Sequence, residues 1–227
     1  MPVPPARPFR KIIPLTLALL GAAGCAAPPP LPAGSTFLPK DAVFVLSLDI
    51  PTLTSTDLFR RLKESGGTVG VNRLNVVKFA TAAGLDPFKD VKWLTFVGRK
   101  RSDDQIPIDE LSAVATGFDG KKVLDYLKRS GLPSEPHAGV DIFPIVIVND
   151  RCRFCVGVLD DASAAFGDGE TLKAMAETRA PGSTGLAGEE SVRTLLTRID
   201  SRAAVWGLVR GPNLAGALTE ALAKIQT

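Results

Sequence analysis

An α+β domain is the fold class this sequence predicts, with a mostly antiparallel sheet and helices packed on one face. Three observations predict it. Short β-branched or apolar runs such as AVFVLSLD, VKWLTFVG and GVDIFPIVIV alternate with segments whose apolar residues recur at helical spacing. Residues 139–168 read as a β-meander, with turn residues at Asn149-Asp150 and Asp160-Asp161. A faint internal echo links AVFVLSLDIPTL (42–53) to AAVWGLVRGPNL (203–214): each has a strand, a Pro at the same offset and a Leu two residues on. Mixed elements with short antiparallel connections favour α+β over a parallel α/β sheet.

The elements follow in order. Residues 26–40 are Pro-rich, and Pro28-Pro29-Pro30 favour an extended polyproline II tether. The domain is expected from Asp41 onward, with a strand over 42–49 stopped by Pro51. Thr52 or Ser55 then caps a helix carrying Leu58, Phe59 and Leu62, which ends near Gly66-Gly67. A second helix is expected over 71–83, with Gly84 as its stop. Strands over 91–98 and 111–118 flank a polar loop, and Asp119-Gly120 opens a helix that stops at Gly131. After the meander, helices are expected over 170–178 and 189–199, joined by the loose segment APGSTGLAG. A strand over 203–209 and a helix over 213–225 complete the series. If the echoing segments are related, the second copy lacks the strand that would complete its part of the sheet.

Ahead of the domain, Arg7, Arg10 and Lys11 precede an uncharged, mostly apolar run over 12–24, and Ala22-Ala23-Gly24 stand directly before Cys25. A basic head, an apolar stretch and small residues at a cleavage point are the layout of a secretory signal. The run is too short for a membrane-spanning helix, which needs about 20 apolar residues, and Pro14 lies inside it. Small residues ending at a cysteine resemble the lipobox of bacterial lipoproteins, with Ala22 where Leu is commonest. That resemblance implies a signal peptide over 1–24, and a Cys25 that becomes the lipid-attached first residue and carries palmitate-type acyl chains. A tether over 25–40 and a single domain over 41–227 would follow. Ala26 stands where Asp commonly retains lipoproteins at the inner membrane, so the implied address is the outer membrane, facing the periplasm. DAVFVLSLD, GLDPFKDVKWLTFVG and VLDDASAAFGDGETLKAM also resemble segments of bacterial envelope lipoproteins of unknown function, a resemblance that brings no functional residues with it.

Charge narrows the partners. The chain has 27 Lys and Arg against 24 Asp and Glu, and the three basic residues before Cys25 account for the whole excess. A neutral remainder cannot neutralise a phosphate backbone, so nucleic acid is an unsuitable partner. Arg99-Lys100-Arg101 is the densest basic cluster, and Asp103-Asp104 answers it at once.

The candidate chemical sites are few. Cys152-Arg153-Phe154-Cys155 is a C-x-x-C, and thiol redox chemistry must be considered. A thioredoxin-type site needs a cysteine at a helix N-terminus, whereas this motif lies between the β-patterned runs IVIVND and VGVLDD. In an extended strand, residues i and i+3 point to opposite faces with Cα atoms roughly 10 Å apart. A disulfide needs about 7 Å or less. Cys152 and Cys155 are therefore expected to be unpaired, on opposite faces of one strand.

Val156 in place of His excludes a c-type haem site. Zinc held by both cysteines and His137, the only histidine, would break the strand. His137 beside Pro136 reads as a turn residue, and no G-x-S-x-G pattern supplies a nucleophile for it. Gly167-Asp168-Gly169-Glu170 lacks the spacings of a phosphate-binding loop, and its carboxylates would repel an anion. It reads as a helix cap.

The expectation is a lipid-anchored envelope protein acting as a binding or structural module, with an envelope protein partner or self-association, and with no catalytic residues, metal or cofactor. The alternatives are a thiol redox protein using Cys152 and Cys155, or a small-ligand carrier. The sheet edge near 203–209 is the expected interaction surface, because an unpaired edge is a template for another strand.

Overall fold

In the structure, a computed structural model, the described residues are 35–57, 59–60, 76–99, 111–180, 182–183, 185–200 and 203–210. All belong to one compact unit, Leu31–Thr227. The strands are β1 (Ala42–Asp49), β2 (Trp93–Arg99), β3 (Ser112–Thr116), β4 (Glu135–His137), β5 (Val140–Val148), β6 (Arg151–Asp160), β7 (Ser163–Gly167) and β8 (Val205–Val209). They form one sheet of eight strands in the order β4-β5-β6-β7-β3-β2-β1-β8. Every pairing is antiparallel, so the fold is α+β. The described helices are α1 (Ile50–Thr54), α2 (Val76–Ala82), α3 (Gly120–Arg129), α4 (Gly169–Glu177) and α5 (Glu190–Leu196). The stretches expected over 61–75, 100–110 and 211–227 lie outside the described residues, as does Cys25.

Helices cover both faces of the sheet, not the one face expected. Leu172, Met175 and Ala176 of α4 and Val192 and Leu196 of α5 pack with Val45, Val97, Val114 and Leu159. On the opposite face, Ala80 of α2 and Val123 and Leu127 of α3 pack with Ala113, Val156, Ala164 and Phe166. The physical reason is in the central strands. SAAFG of β7 is buried at every position and SAVA of β3 at four in succession, so alternation gives way to an uninterrupted apolar run.

Two segments read as loose connectors are part of this core. Phe37 and Leu38, at the end of the Pro-rich stretch, are buried with α4 and α5, so the domain begins before Asp41. Leu186 is fully buried, and its N–H donates to the Leu38 carbonyl at 2.8 Å. In both places the Pro, Gly and Ser composition masked a large apolar side chain.

Caps match local chemistry. Asp119 accepts from the Lys121 N–H at 3.1 Å and opens α3. Asp49 caps α1 by accepting from the Thr52 N–H at 3.0 Å, and at the start of the next helical stretch Thr56, rather than Thr52 or Ser55, accepts from the Phe59 N–H at 3.2 Å. The two-residue turn at Asn149-Asp150 has φ of 50° and 57°, the left-handed pair a tight hairpin requires. His137, read as a turn residue, is in β4 and pairs with Val140 of β5.

The two echoing segments supply neighbouring strands, β1 and β8. Their register sets Leu46 opposite Gly207, which are equivalent residues when the segments are aligned, so a local two-fold axis relates the strands. The Asp49 N–H donates to Ala204 and the Arg210 N–H to Val43. In an antiparallel ladder the backbone groups of alternate residues then point away from β1, and on β8 these are Val205, Gly207 and Val209. Among the described strands β8 pairs with β1 alone.

One buried polar contact ties β1 to β2. Ser47 and Thr95 face each other across the ladder, both fully buried, with their hydroxyls 2.8 Å apart. Thr95→Val should cost about 1–3 kcal/mol in urea unfolding, because it leaves the Ser47 hydroxyl unsatisfied. Adding Ser47→Ala should restore most of that loss.

Candidate functional site at the Cys152–Cys155 disulfide

Cys152 and Cys155 form a disulfide, with Cα atoms 5.9 Å apart. The expectation that they are unpaired and on opposite faces is overturned. In β6 the side chains of Phe154 and Val156 enter one core cluster, and those of Cys155 and Leu159 enter the other. Strict alternation would put Cys152 with Phe154, but it packs beside the Cys155 cluster.

The register explains the switch. Cys155 pairs with Pro144, Phe154 with Val146 and Cys152 with Ile147, so Arg153 on β6 and Ile145 on β5 are each an extra residue. Two opposed bulges cancel in length while each reverses the facing of its strand. Pro144 is the sequence signal for this irregularity, because proline inside a sheet belongs at bulges and edges.

The disulfide meets the start of α4. Gly167, with φ 131°, bends β7 into the helix, and a Cβ there would lie 2.6 Å from the Ser112 Cα. The bend lets the Asp168 N–H donate to the Ser112 Oγ at 3.0 Å. The Asp168 carboxylate then caps α4, accepting from the Thr171 N–H at 3.1 Å, as the sequence predicts. Gly169 is the first helical residue. A Cβ there would sit 3.3 Å from both the Cys155 Sγ and the Cys152 Cβ, so only glycine lets the helix end approach the disulfide this closely without displacement.

Cys152 and Cys155 line an open cleft of about 510 Å³ with Asp168, Gly169 and Thr171. Cys155 is only 2% exposed, while Cys152 is half-buried. Arg99, Arg151 and Lys173 bring positive charge to the walls, and Glu135, Asp150, Asp168 and Glu170 bring negative charge.

Most of these charges are engaged. The Arg99 Nε donates to the Asp41 carboxylate at 2.8 and 2.9 Å, and its Nη1 to the Glu170 carbonyl at 3.0 Å. Lys173 Nζ lies 3.0 Å from Glu135 and 3.3 Å from Glu170. The hydrogen bond to Glu135 is the largest influence holding the Lys173 ammonium above the usual lysine range, with Glu170 adding and partial burial opposing. The lining, with charges of both signs and several of them paired, is unsuited to a polyanion. Its distinctive chemical group is the disulfide.

The other candidates are dispersed. His137 Nε2 is 2.9 Å from Glu177 in an exposed pair and does not line the cleft. Asp160 accepts from the Ala162 N–H at 2.8 Å as a turn residue, and Asp103-Asp104 lies outside the described residues. Among the described residues no group of three His, Cys, Asp or Glu side chains is placed to hold a metal, and no helix is long and apolar enough to cross a membrane. Comparison of the chain with protein-family models, with curated proteins and with solved structures gives no match in any of the three.

Two outcomes test this geometry. Gly167→Ala should destabilise the domain by more than ~2 kcal/mol, since a Cβ would meet backbone at 2.6 Å in a conformation side chains rarely adopt. Opening the disulfide should cost only about 2 kcal/mol, because the loop it closes is four residues long. Reduced protein should therefore keep its far-ultraviolet circular dichroism at room temperature.

Proposed function

We propose that this chain is an exported, lipid-anchored envelope protein. Cys25 carries the anchor, and the α+β domain is a binding module held off the bilayer by the Pro-rich tether. Export is supported by the disulfide, since such bonds persist in oxidising compartments and are rare in reducing ones. Cys25→Ser should move the protein from the membrane to the soluble fraction or stall its processing. Identical fractionation of the two, with no acyl label on wild type, would remove the anchor.

The binding reading is carried by one observation, the outer edge of β8. Its outward backbone groups, at Val205, Gly207 and Val209, are the equivalents of those through which Phe44, Leu46 and Leu48 of β1 bond to β2. The edge therefore has the donor and acceptor spacing of a strand that takes an antiparallel neighbour, and Val205 beside it is 46% exposed. An added strand would gain main-chain hydrogen bonds along this row, with Val205 and Val209 giving side-chain selectivity. Its source would be an envelope protein or a second copy of this chain.

Val209→Pro removes one outward N–H without touching the β1–β8 ladder. The variant should keep its unfolding midpoint and lose the crosslinked species formed by wild type in intact envelopes. Unchanged crosslinks in a folded variant would exclude this edge as the surface.

A further inference from the structure

We infer that the Cys152–Cys155 disulfide is a two-electron acceptor for a dithiol, with Cys152 as the sulfur attacked and Cys155 as the leaving thiolate. This activity is independent of strand addition at β8. It rests on four observations that the fold brings together: a C-x-x-C disulfide, a cleft that reaches it, unequal burial of its two cysteines, and a helix N-terminus against the more buried one.

The unequal burial sets the direction of attack. A thiolate must approach a disulfide along the S–S axis from outside. Both cysteines line the cleft, but Cys155 is only 2% exposed, with Gly169 of α4 beside its sulfur, while Cys152 is half-buried. The first thiolate of the partner therefore bonds to the Cys152 Sγ, and the Cys152–Cys155 bond breaks. Its electron pair leaves on the Cys155 Sγ. The partner's second thiolate then attacks the partner sulfur of that mixed disulfide, closing the partner's own disulfide and releasing Cys152 as thiolate. Two electrons and two protons pass from the dithiol to the protein.

The leaving group decides how readily the first step runs, since a thiol of lower pKa leaves faster. Cys155 is placed for this. The first N–H groups of a helix have no intrahelical partner and carry the positive end of its dipole, which stabilises an adjacent thiolate. Carboxylates nearby act against this: Asp168 accepts from the Thr171 N–H and Glu170 shares the Lys173 ammonium with Glu135, while Arg99 and Arg151 add positive charge to the same cleft. The four-residue loop adds a further condition. Its opening removes little stability, so the domain can exist in both redox states.

The test uses the full chain in its oxidised form and a synthetic peptide carrying two cysteines. Mixed with the reduced peptide in native buffer, wild type should yield peptide disulfide in step with newly alkylatable Cys152 and Cys155, with unchanged circular dichroism. With the oxidised peptide, Cys155→Ser should form a mixed disulfide at Cys152, and Cys152→Ser should form one at Cys155 at least about tenfold more slowly, as burial requires. Both variants are checked for folding by their unfolding midpoints. The inference is overturned if the disulfide reacts only once denaturant unfolds the domain, or if both cysteines form adducts at equal rates in folded variants.

Discussion

A sheet that buries apolar side chains on both faces needs a cover on each, and this requirement organises the whole domain. The central strands β7 and β3 offer almost no polar residue to water on either side. The chain therefore lays α2 and α3 over one face and α4 and α5 over the other, with the segments around Leu38 and Leu186 closing the second layer. Burial at about 25 cal/mol per Å² of apolar surface makes such a double cover the dominant favourable contribution. Of the polar groups caught inside, Ser47 and Thr95 pair with each other, whereas the buried Trp206 Nε1 has no hydrogen-bond partner among the described residues.

Within that frame, the β5–β6 hairpin carries two successive register shifts, and the disulfide lies there. A pair of opposed bulges turns Cys152 to the side of Cys155, and the hairpin still closes through its left-handed Asn149-Asp150 turn. The bend at Gly167 independently delivers the N-terminus of α4 to the same place. Neither feature alone would make a site. A disulfide without the helix has no stabilised leaving group, and the helix without the bulges would face two separated thiols.

The surface divides into two regions of different character. The cleft beside the disulfide has paired charges of both signs on its walls, which limits attraction of distant ions and leaves selectivity to the sulfur chemistry. The β8 edge offers backbone groups rather than side-chain charge, and natural proteins cover such edges or use them. Anchorage at Cys25 would confine both regions near a membrane, where effective concentration favours weak partners.

The α+β class, the antiparallel meander, the order along the chain of every described strand but β4, and the Asp119 and Asp168 caps were legible in the residues, because each depends on interactions within a few positions. Alternation, turn residues and carboxylates ahead of helices act locally and leave local marks. The second helical layer left a mark too, in the uniform apolar runs of β3 and β7, but only a count of faces reveals it.

The site was not legible as a site. C-x-x-C in a β-run predicts separated thiols, and that follows correctly from regular strand geometry. What reversed it was a compensating extra residue on the partner strand, near Pro144, together with a glycine two elements later that admits a helix end. These are relations between segments distant in sequence, set by packing and register. Sequence alone determined which local elements form and named Cys25, Cys152 and Cys155. Only the tertiary structure decided that two of those cysteines meet, because strand facing depends on register with a neighbour that a local pattern does not contain.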